Sequence, residues 1–462
     1  MSKTRTVKDS MGELKLPEEA LWQAQTQRAV ENFRLGGGAM PVSFIRSLAR
    51  IKGCAAQVNG ELKEIGHSEA QAIAQAALRL VRGDFEDQFP VDRWQTGSGT
   101  STNMNLNEVI ASLAAEESGL EIHPNDMVNR GQSSNDVIPS ALQLSCLLLL
   151  QRTLKPALER LIEQVRARAA GWGAEIKTGR THLMDAMPVS LAQEAETWAV
   201  QLEGHLPRLQ QVTSDLSRLS LGGTAVGTGV NCHEEFPGAV ASLLSDQLKL
   251  EIGVADNPSS RMAGQESALA ASALLQGVAV SLIKICNDLR WMASGPNAGL
   301  AELRLPELQP GSSIMPGKVN PVIPEAVLMA ATQVQGLHTA NTVAAQSGNF
   351  QLNVMLPLLA CNLLDSSQWL ARCCDSLSDQ VFEGLQVNTQ HLASMVQRNP
   401  ILVTALNDRI GYDKAAAIAK RAFIEGRSVI EVAEEETGIS RPELESLLDP
   451  NILNGNKSFN KQ

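Results

Sequence analysis

Gln265–Met292 reads QESALAASALLQGVAVSLIKICNDLRWM, a run without proline and without charge between Glu266 and Lys284. Leu269, Ala273, Val280, Ile283 and Leu289 recur at roughly helical spacing. The expected element is one long helix, apolar on most of its sides. A helix that is apolar on most sides is buried among other helices. The windows 208–236, 259–295 and 358–399 hold no proline either. Three or four such helices make a bundle, and nearly charge-free faces point to burial by further copies as well as by the chain itself. The expected fold class is therefore all-α, with a central long-helix bundle.

The chain around this run divides into three sections: 1–132, 133–389 and 390–462. The first has helical pieces broken by Gly36-Gly37-Gly38 and by Gly97 and Gly99. The last has short amphipathic pieces, Asp413–Glu425 and Arg427–Thr437, before a polar tail, Asn451–Gln462, expected to fray. A doubly wound sheet needs alternating β-rich runs, and they are missing. With 462 residues, 44% hydrophobic and 19% charged, the chain reads as globular. Thirty-nine Lys and Arg against 50 Asp and Glu give −11, which argues against nucleic acid as a partner. Apolar runs such as Leu147–Leu150 are too short to span a bilayer, so no membrane is expected. Met1–Ser10 is polar and unlike a signal peptide. Seven scattered cysteines without Cys-x-x-Cys suggest neither a disulfide framework nor zinc. A cytoplasmic location follows as the expectation.

Four motifs carry chemistry. Thr96-Gly97-Ser98-Gly99-Thr100-Ser101-Thr102-Asn103-Met104-Asn105 joins tight-turn glycines to uncharged hydroxyls, with a helix expected to start near Asn103–Asn107. Capping would account for one or two of these hydroxyls, not the cluster. No Gly-Lys-Ser/Thr follows, so this is no P-loop. His123-Pro124-Asn125-Asp126 precedes Gln132-Ser133-Ser134-Asn135-Asp136, a plausible helix start whose free N–H groups suit a carboxylate. In Lys177-Thr178-Gly179-Arg180-Thr181-His182, the imidazole is a candidate acid or base. Gly311-Ser312-Ser313-Ile314-Met315-Pro316-Gly317-Lys318-Val319-Asn320 is a hydroxyl-bearing loop beside an ammonium and an amide, suited to a small anion. It continues through Pro321-Val322-Ile323-Pro324-Glu325, whose carboxylate could orient His182. A solvated surface loop would have the same composition.

In this order the motifs resemble the fumarase/aspartase superfamily, with G-S-S-I-M-P-G-K-V-N as its signature. T-G-S-G-T…N-M-N, H-P-N-D…Q-S-S-N-D, G-R-T-H-L and G-G-T-A-V-G-T-G look like those of class II fumarases. The likeness runs from Leu21-Trp22-Gln23-Ala24-Gln25-Thr26-Gln27-Arg28 to Leu406-Asn407 and Gly411-Tyr412-Asp413-Lys414. The resemblance implies an all-helical, three-domain subunit whose long helices form a tetramer core, with each active site shared between subunits. It implies a lyase adding water reversibly and anti to fumarate, giving (S)-malate, with no cofactor and no metal. Ser312 matches the residue assigned as carbon base, and Lys318 and Asn320 those that stabilise the aci-carboxylate. Ser98, Thr100, Ser133, Ser134, Asn135 and Thr181 would fix the substrate's ends. His182, paired with Glu325, would handle the water proton or, in older assignments within the family, be the carbon base in place of Ser312. His123, Asn125 and Asp126 match a second dicarboxylate site.

Several positions depart from the pattern. Gly119-Leu120-Glu121-Ile122-His123 lacks the cation many relatives carry before H-P-N-D. Met184 stands where many have Gln, and Gly131 where many have Ser. Gly336-Leu337-His338 replaces G-N-D, and Asn349-Phe350-Gln351-Leu352-Asn353 replaces N-F-E-L-N. Aspartate ammonia-lyase shares the loop and the carbanion. Ser101-Thr102-Asn103 and Gln351-Leu352-Asn353-Val354-Met355 lean towards it, whereas Trp94–Ser98, Ser133–Asp136 and Gly222–Gly229 lean towards fumarase. A non-catalytic structural protein on the same scaffold, like the lens crystallins of this superfamily, would not need Ser312, His182, Lys318 and Asn320, all of which are present.

Overall fold

The computed structural model describes residues 3–9, 11–173, 175–311 and 313–455. Helices dominate, and the strands among the described residues form five two-stranded sheets. The chain separates into two compact units, 1–156 with 205–279 and 331–371, and 157–204 with 280–330 and 372–462.

In the first unit, the helix Val42–Glu61 packs against His67–Arg82, Ser134–Leu149 and Phe236–Leu248. Phe44, Leu48 and Ile51 are buried along it. The helix Thr100–Ser118 starts earlier than its sequence suggests, because Gln95 caps it: the backbone N–H and hydroxyl of Thr102 both donate to Gln95 Oε1, at 3.0 and 2.9 Å. The proline-free window 208–236 holds no long helix. Its first helix ends at Leu216, and Gly222, Gly227 and Gly229, all at positive φ, turn the chain instead. Hairpin strands Thr4–Asp9 and Gly12–Pro17 precede the first helix, tied down by Arg28 on Asp9 at 2.7 Å.

In the second unit, Leu402, Leu406, Ile418, Val432 and Leu444 form a separate small core. The amphipathic pieces become the helices Tyr412–Glu425 and Val429–Thr437, the latter opened by a Ser428–Glu431 capping box. Asn451–Leu453 are helical, and the tail from 456 lies outside the described residues. All seven cysteines are free thiols, six of them buried.

Glu266–Met292 is one helix of 27 residues. Its own chain covers it unevenly. Ala268, Ala271, Leu275, Val278, Leu282, Ile285 and Leu289 are buried, whereas Ala273 and Val280 are exposed and Leu269 and Ile283 only half-buried. Apolar residues run along most sides of this helix; its own chain buries one side fully and covers the other only in part. Apolar run length also understates these helices. Windows in Ser134–Gly171 and Glu266–Met292 reach mean hydropathies of 1.3 and 1.8, enough by length and composition to cross a membrane. The windows are 72% and 50% buried within the chain, as core helices are.

Truncating the inner row tests this face. Leu282→Ala, at a fully buried position, should lower the unfolding free energy in urea by about 2–5 kcal/mol.

Candidate functional site

In the first unit, the hydroxyl loop, the start of the helix 134–149 and the glycine-rich loop 222–229 are drawn together. A β-carbon at Gly97 would stand 1.6 Å from the Val354 carbonyl oxygen, and one at Gly99, where φ is +72°, would stand 2.8 Å from Ile138. Only glycine allows both approaches. Ser98 Oγ and Thr100 Oγ1 lie 2.8 Å apart at one helix N-terminus. Ser133 caps the other: its hydroxyl accepts from the Asn135 N–H at 3.2 Å, and its N–H donates to Asp136 at 2.9 Å. Ser134 is buried, and Asn103 Nδ2 donates to its hydroxyl at 3.2 Å. Asn135 donates to the Ala225 carbonyl at 2.9 Å. Two helix starts thus present hydroxyls and N–H groups, an arrangement suited to carboxylates.

Asp136 fixes this arrangement. It is fully buried and accepts from the backbone N–H groups of Ser133 at 2.9 Å and of Gly222 and Thr224 at 3.0 Å each. Burial raises its pKa to about 6, opposed by those N–H donors and by Lys52. Lys52, also fully buried, is pushed down to about 7 by burial, with Asp136 pulling the other way. Neither residue was singled out from sequence as a site residue. The available signal was an ammonium inside the apolar stretch Ile51-Lys52-Gly53-Cys54.

His123, Asn125 and Asp126 lie on or beside the wide helical turn Pro124–Val128, with all three exposed. The Asp126 N–H donates to His123 Nδ1 at 3.1 Å, so the turn closes on itself.

In the second unit, the strands Ile176–Thr181 and Met184–Ser190 form a hairpin with a bulge between Thr178 and Arg180. Its two-residue turn is His182-Leu183, with φ of +54° and +60°. Such turns prefer Asn-Gly, and a leucine held left-handed is strained by on the order of 1 kcal/mol. The hairpin base holds it there. Buried Glu302 accepts from Arg180 and from Lys177, the latter at 3.0 Å, and Lys177 also reaches Glu194 at 2.5 Å. Burial works against the Arg180 charge, but its bonds to Glu302 outweigh that and raise its pKa. Arg180 is thus an anchor, while Thr181, His182, Leu183 and Met184 are exposed at the tip.

The signature loop closes on itself through Asn320, whose amide donates to the Gly311 carbonyl at 2.5 Å. Ser312 lies outside the described residues. Lys318 is exposed beside an open cleft of about 370 Å³ lined by Glu307, Pro310, Met315 and Gly317. Glu325, in the first turn of Val322–Ala345, is exposed rather than buried, and among the described residues no side-chain bond joins it to His182. Nor does one join Thr181 or His182 to Lys318.

The buried carboxylate gives a pH test. Asp136 is protonated in both states below about pH 4. Between about 4 and 6 the unfolded chain ionises while the folded one keeps its proton, so its contribution falls by on the order of 3 kcal/mol. The stability advantage of the native chain over Asp136→Asn, from urea unfolding, should therefore shrink as pH rises through that window.

The family model described as Lyase matches residues 12–336, and the one described as Fumarase C C-terminus matches residues 402–454. The class II fumarate hydratase of Xylella fastidiosa (strain Temecula1 / ATCC 700964) is 53% identical over 445 residues, 96% of this chain and 94% of that one. The crystal structure of recombinant class II fumarase from Schistosoma mansoni aligns with a TM-score of 0.96 at 35% identity, covering 99% of this chain and all (100%) of that one. A fumarate lyase:delta crystallin from Brucella melitensis, in a crystal structure bound to cobalt, aligns with a TM-score of 0.93 at 40% identity over 98% of this chain and 100% of that one.

Proposed function

The chain belongs to the class II fumarase family, and on that footing we propose that it catalyses the reversible anti addition of water to fumarate, giving (S)-malate. The observation that carries the reading is likeness to a class II fumarate hydratase at 53% identity over 96% of the chain. The geometry of two hydroxyl-lined helix starts agrees with it.

In the malate-to-fumarate direction, the chemical problem is removing a proton from carbon next to a carboxylate. The resulting aci-carboxylate carries two negative charges and needs preorganised donors and a cation. Lys318 supplies the cation and Asn320 an amide, one of whose protons already closes the loop. Ser312 takes the carbon-bound proton, aided by loop closure that surrounds it with donors. Ser98, Thr100, Ser133, Ser134, Asn135 and Thr181 hold the two carboxylates, and His182 with Glu325 moves the water proton. His123, Asn125 and Asp126 form at most a weak second dicarboxylate site, because Asp126 stands beside His123 and no cation precedes it.

These groups meet only when copies assemble. In one chain, Thr181, His182, Lys318 and Glu325 are exposed without side-chain partners among the described residues. The helix Val322–Ala345 has no charge after Glu325, yet Met329 is 70% and Val343 53% exposed; on Glu266–Met292, Val280 is 52% exposed. Such faces need cover, and a homotetramer with shared sites provides it. The sections 1–132, 133–389 and 390–462 belong to the same proposal. So does the cytoplasmic location, which suits seven free thiols.

Purified protein given fumarate should lose its ultraviolet absorbance as malate forms. Aspartate formed only with ammonium, and no malate, would overturn the assignment. Ser312→Ala should lower kcat by at least about a hundredfold with the oligomer intact; unchanged turnover would remove Ser312 from the reaction. Met329→Lys combined with Val343→Lys should yield smaller, inactive species in light scattering, and a fully active monomer would refute the shared site.

A further inference from the structure

Lys52 is an ammonium with no exposed surface, placed in a helix whose neighbours are apolar. Burying a charge this way is costly unless its surroundings compensate. Methionine would fill the same space without that cost.

Beside its attraction to Asp136, Lys52 makes one hydrogen bond among the described residues, and that bond has a direction. Lys52 Nζ donates to Asn129 Oδ1 at 2.7 Å. The same oxygen accepts from Asn103 Nδ2 and Asn107 Nδ2, at 3.2 Å each. On the other side, Asn129 Nδ2 donates to the Gln132 carbonyl at 3.1 Å. A flipped Asn129 amide would set its N–H groups against an ammonium and two further donors. The ammonium on one side and the Gln132 carbonyl, which can only accept, on the other together fix which end of Asn129 accepts.

Direction then passes along the chain of bonds. Asn103 must turn its NH₂ towards Asn129, and the same nitrogen donates to Ser134 Oγ at 3.2 Å. Asn103 Oδ1 is left buried without a protein partner. Because Ser134 Oγ is an acceptor here, its single proton is not taken by Asn103. That proton has no acceptor among the described residues. A hydroxyl arranged this way offers a donor to a carboxylate. Were Asn103 reversed, its Oδ1 would capture the proton and the donor would be lost.

We propose that Lys52 is a positioning residue for the dicarboxylate site: through Asn129 and Asn103 it sets the polarity of the Ser134 hydroxyl, so that Ser134 donates to the substrate. The inference rests on Ser134 contacting substrate, as argued above, and its test separates the two.

Lys52→Met removes one of the two groups that hold the Asn129 direction, leaving only the Gln132 carbonyl, without changing side-chain length much. Binding of ground state and transition state should suffer alike, so KM for fumarate should rise about tenfold while kcat stays within about twofold. In a Ser134→Ala background, Lys52→Met should add nothing to KM. A purely structural role would lower the active fraction, reducing apparent kcat at unchanged KM, and that result overturns the proposal. So do effects of Lys52→Met and Ser134→Ala that multiply. If Lys52→Met does not assemble, Asn129→Leu interrupts the same relay and should reproduce the KM pattern. Ser134→Ala with unchanged KM would instead remove Ser134 from the site. Ser134→Ala raising KM while Lys52→Met does not would defeat the relay alone.

Discussion

One buried carboxylate organises half of the site. Asp136 accepts three backbone N–H groups, from its own helix cap and from the glycine-rich loop 222–229. Neutral donors alone rarely hold a carboxylate inside a protein, and the buried Lys52 lies within its electrostatic reach. The result is a rigid corner where a helix start, a turn and a hydroxyl loop hold fixed relations. On the proposed function the substrate is a dianion, and the corner would meet it with hydroxyls and backbone dipoles rather than with a further exposed charge. Preorganised dipoles of this kind need little reorientation as charge develops.

The second unit solves a different problem. On the proposed role of His182, an imidazole at a hairpin tip has to be aimed, and a two-residue turn without glycine resists the required backbone conformation. Glu302 supplies the restraint from below, bridging Lys177 and Arg180 inside the unit. Strain at the tip and a clamp at the base are paired features, as is common where a functional group is held in a sparsely populated geometry. The signature loop takes the opposite course. It is tied at its ends by Asn320 on Gly311 and leaves Lys318 in solvent.

Much of this was legible in the residues. Ser133 and Asp136 read as a helix start and form a capping box. The order of motifs led to the family, because each motif couples a turn to a specific donor set. Other features were hidden for physical reasons. The pattern in Gln265–Met292 found a helix apolar on most sides, but such a pattern does not say which side its own chain covers. Lys52 was missed because local sequence cannot distinguish a buried ammonium from one that snorkels to the surface. Gln95 was missed because it caps a helix from seven residues before its partner, outside the usual capping box. Proline absence over 208–236 misled, since closely spaced glycines break a helix as well.

The outer face of Val322–Ala345, uncharged beyond Glu325, has a consequence before any catalysis begins. On the homotetramer proposed above, a newly made chain carries it bare until other copies arrive. At low synthesis rates such chains wait longer for mates, and chaperones must shelter them meanwhile. Recovery of active enzyme in a heterologous host is therefore governed by encounter and holding as much as by the folding of each chain. Co-expression with a holdase is the practical remedy when yield is poor.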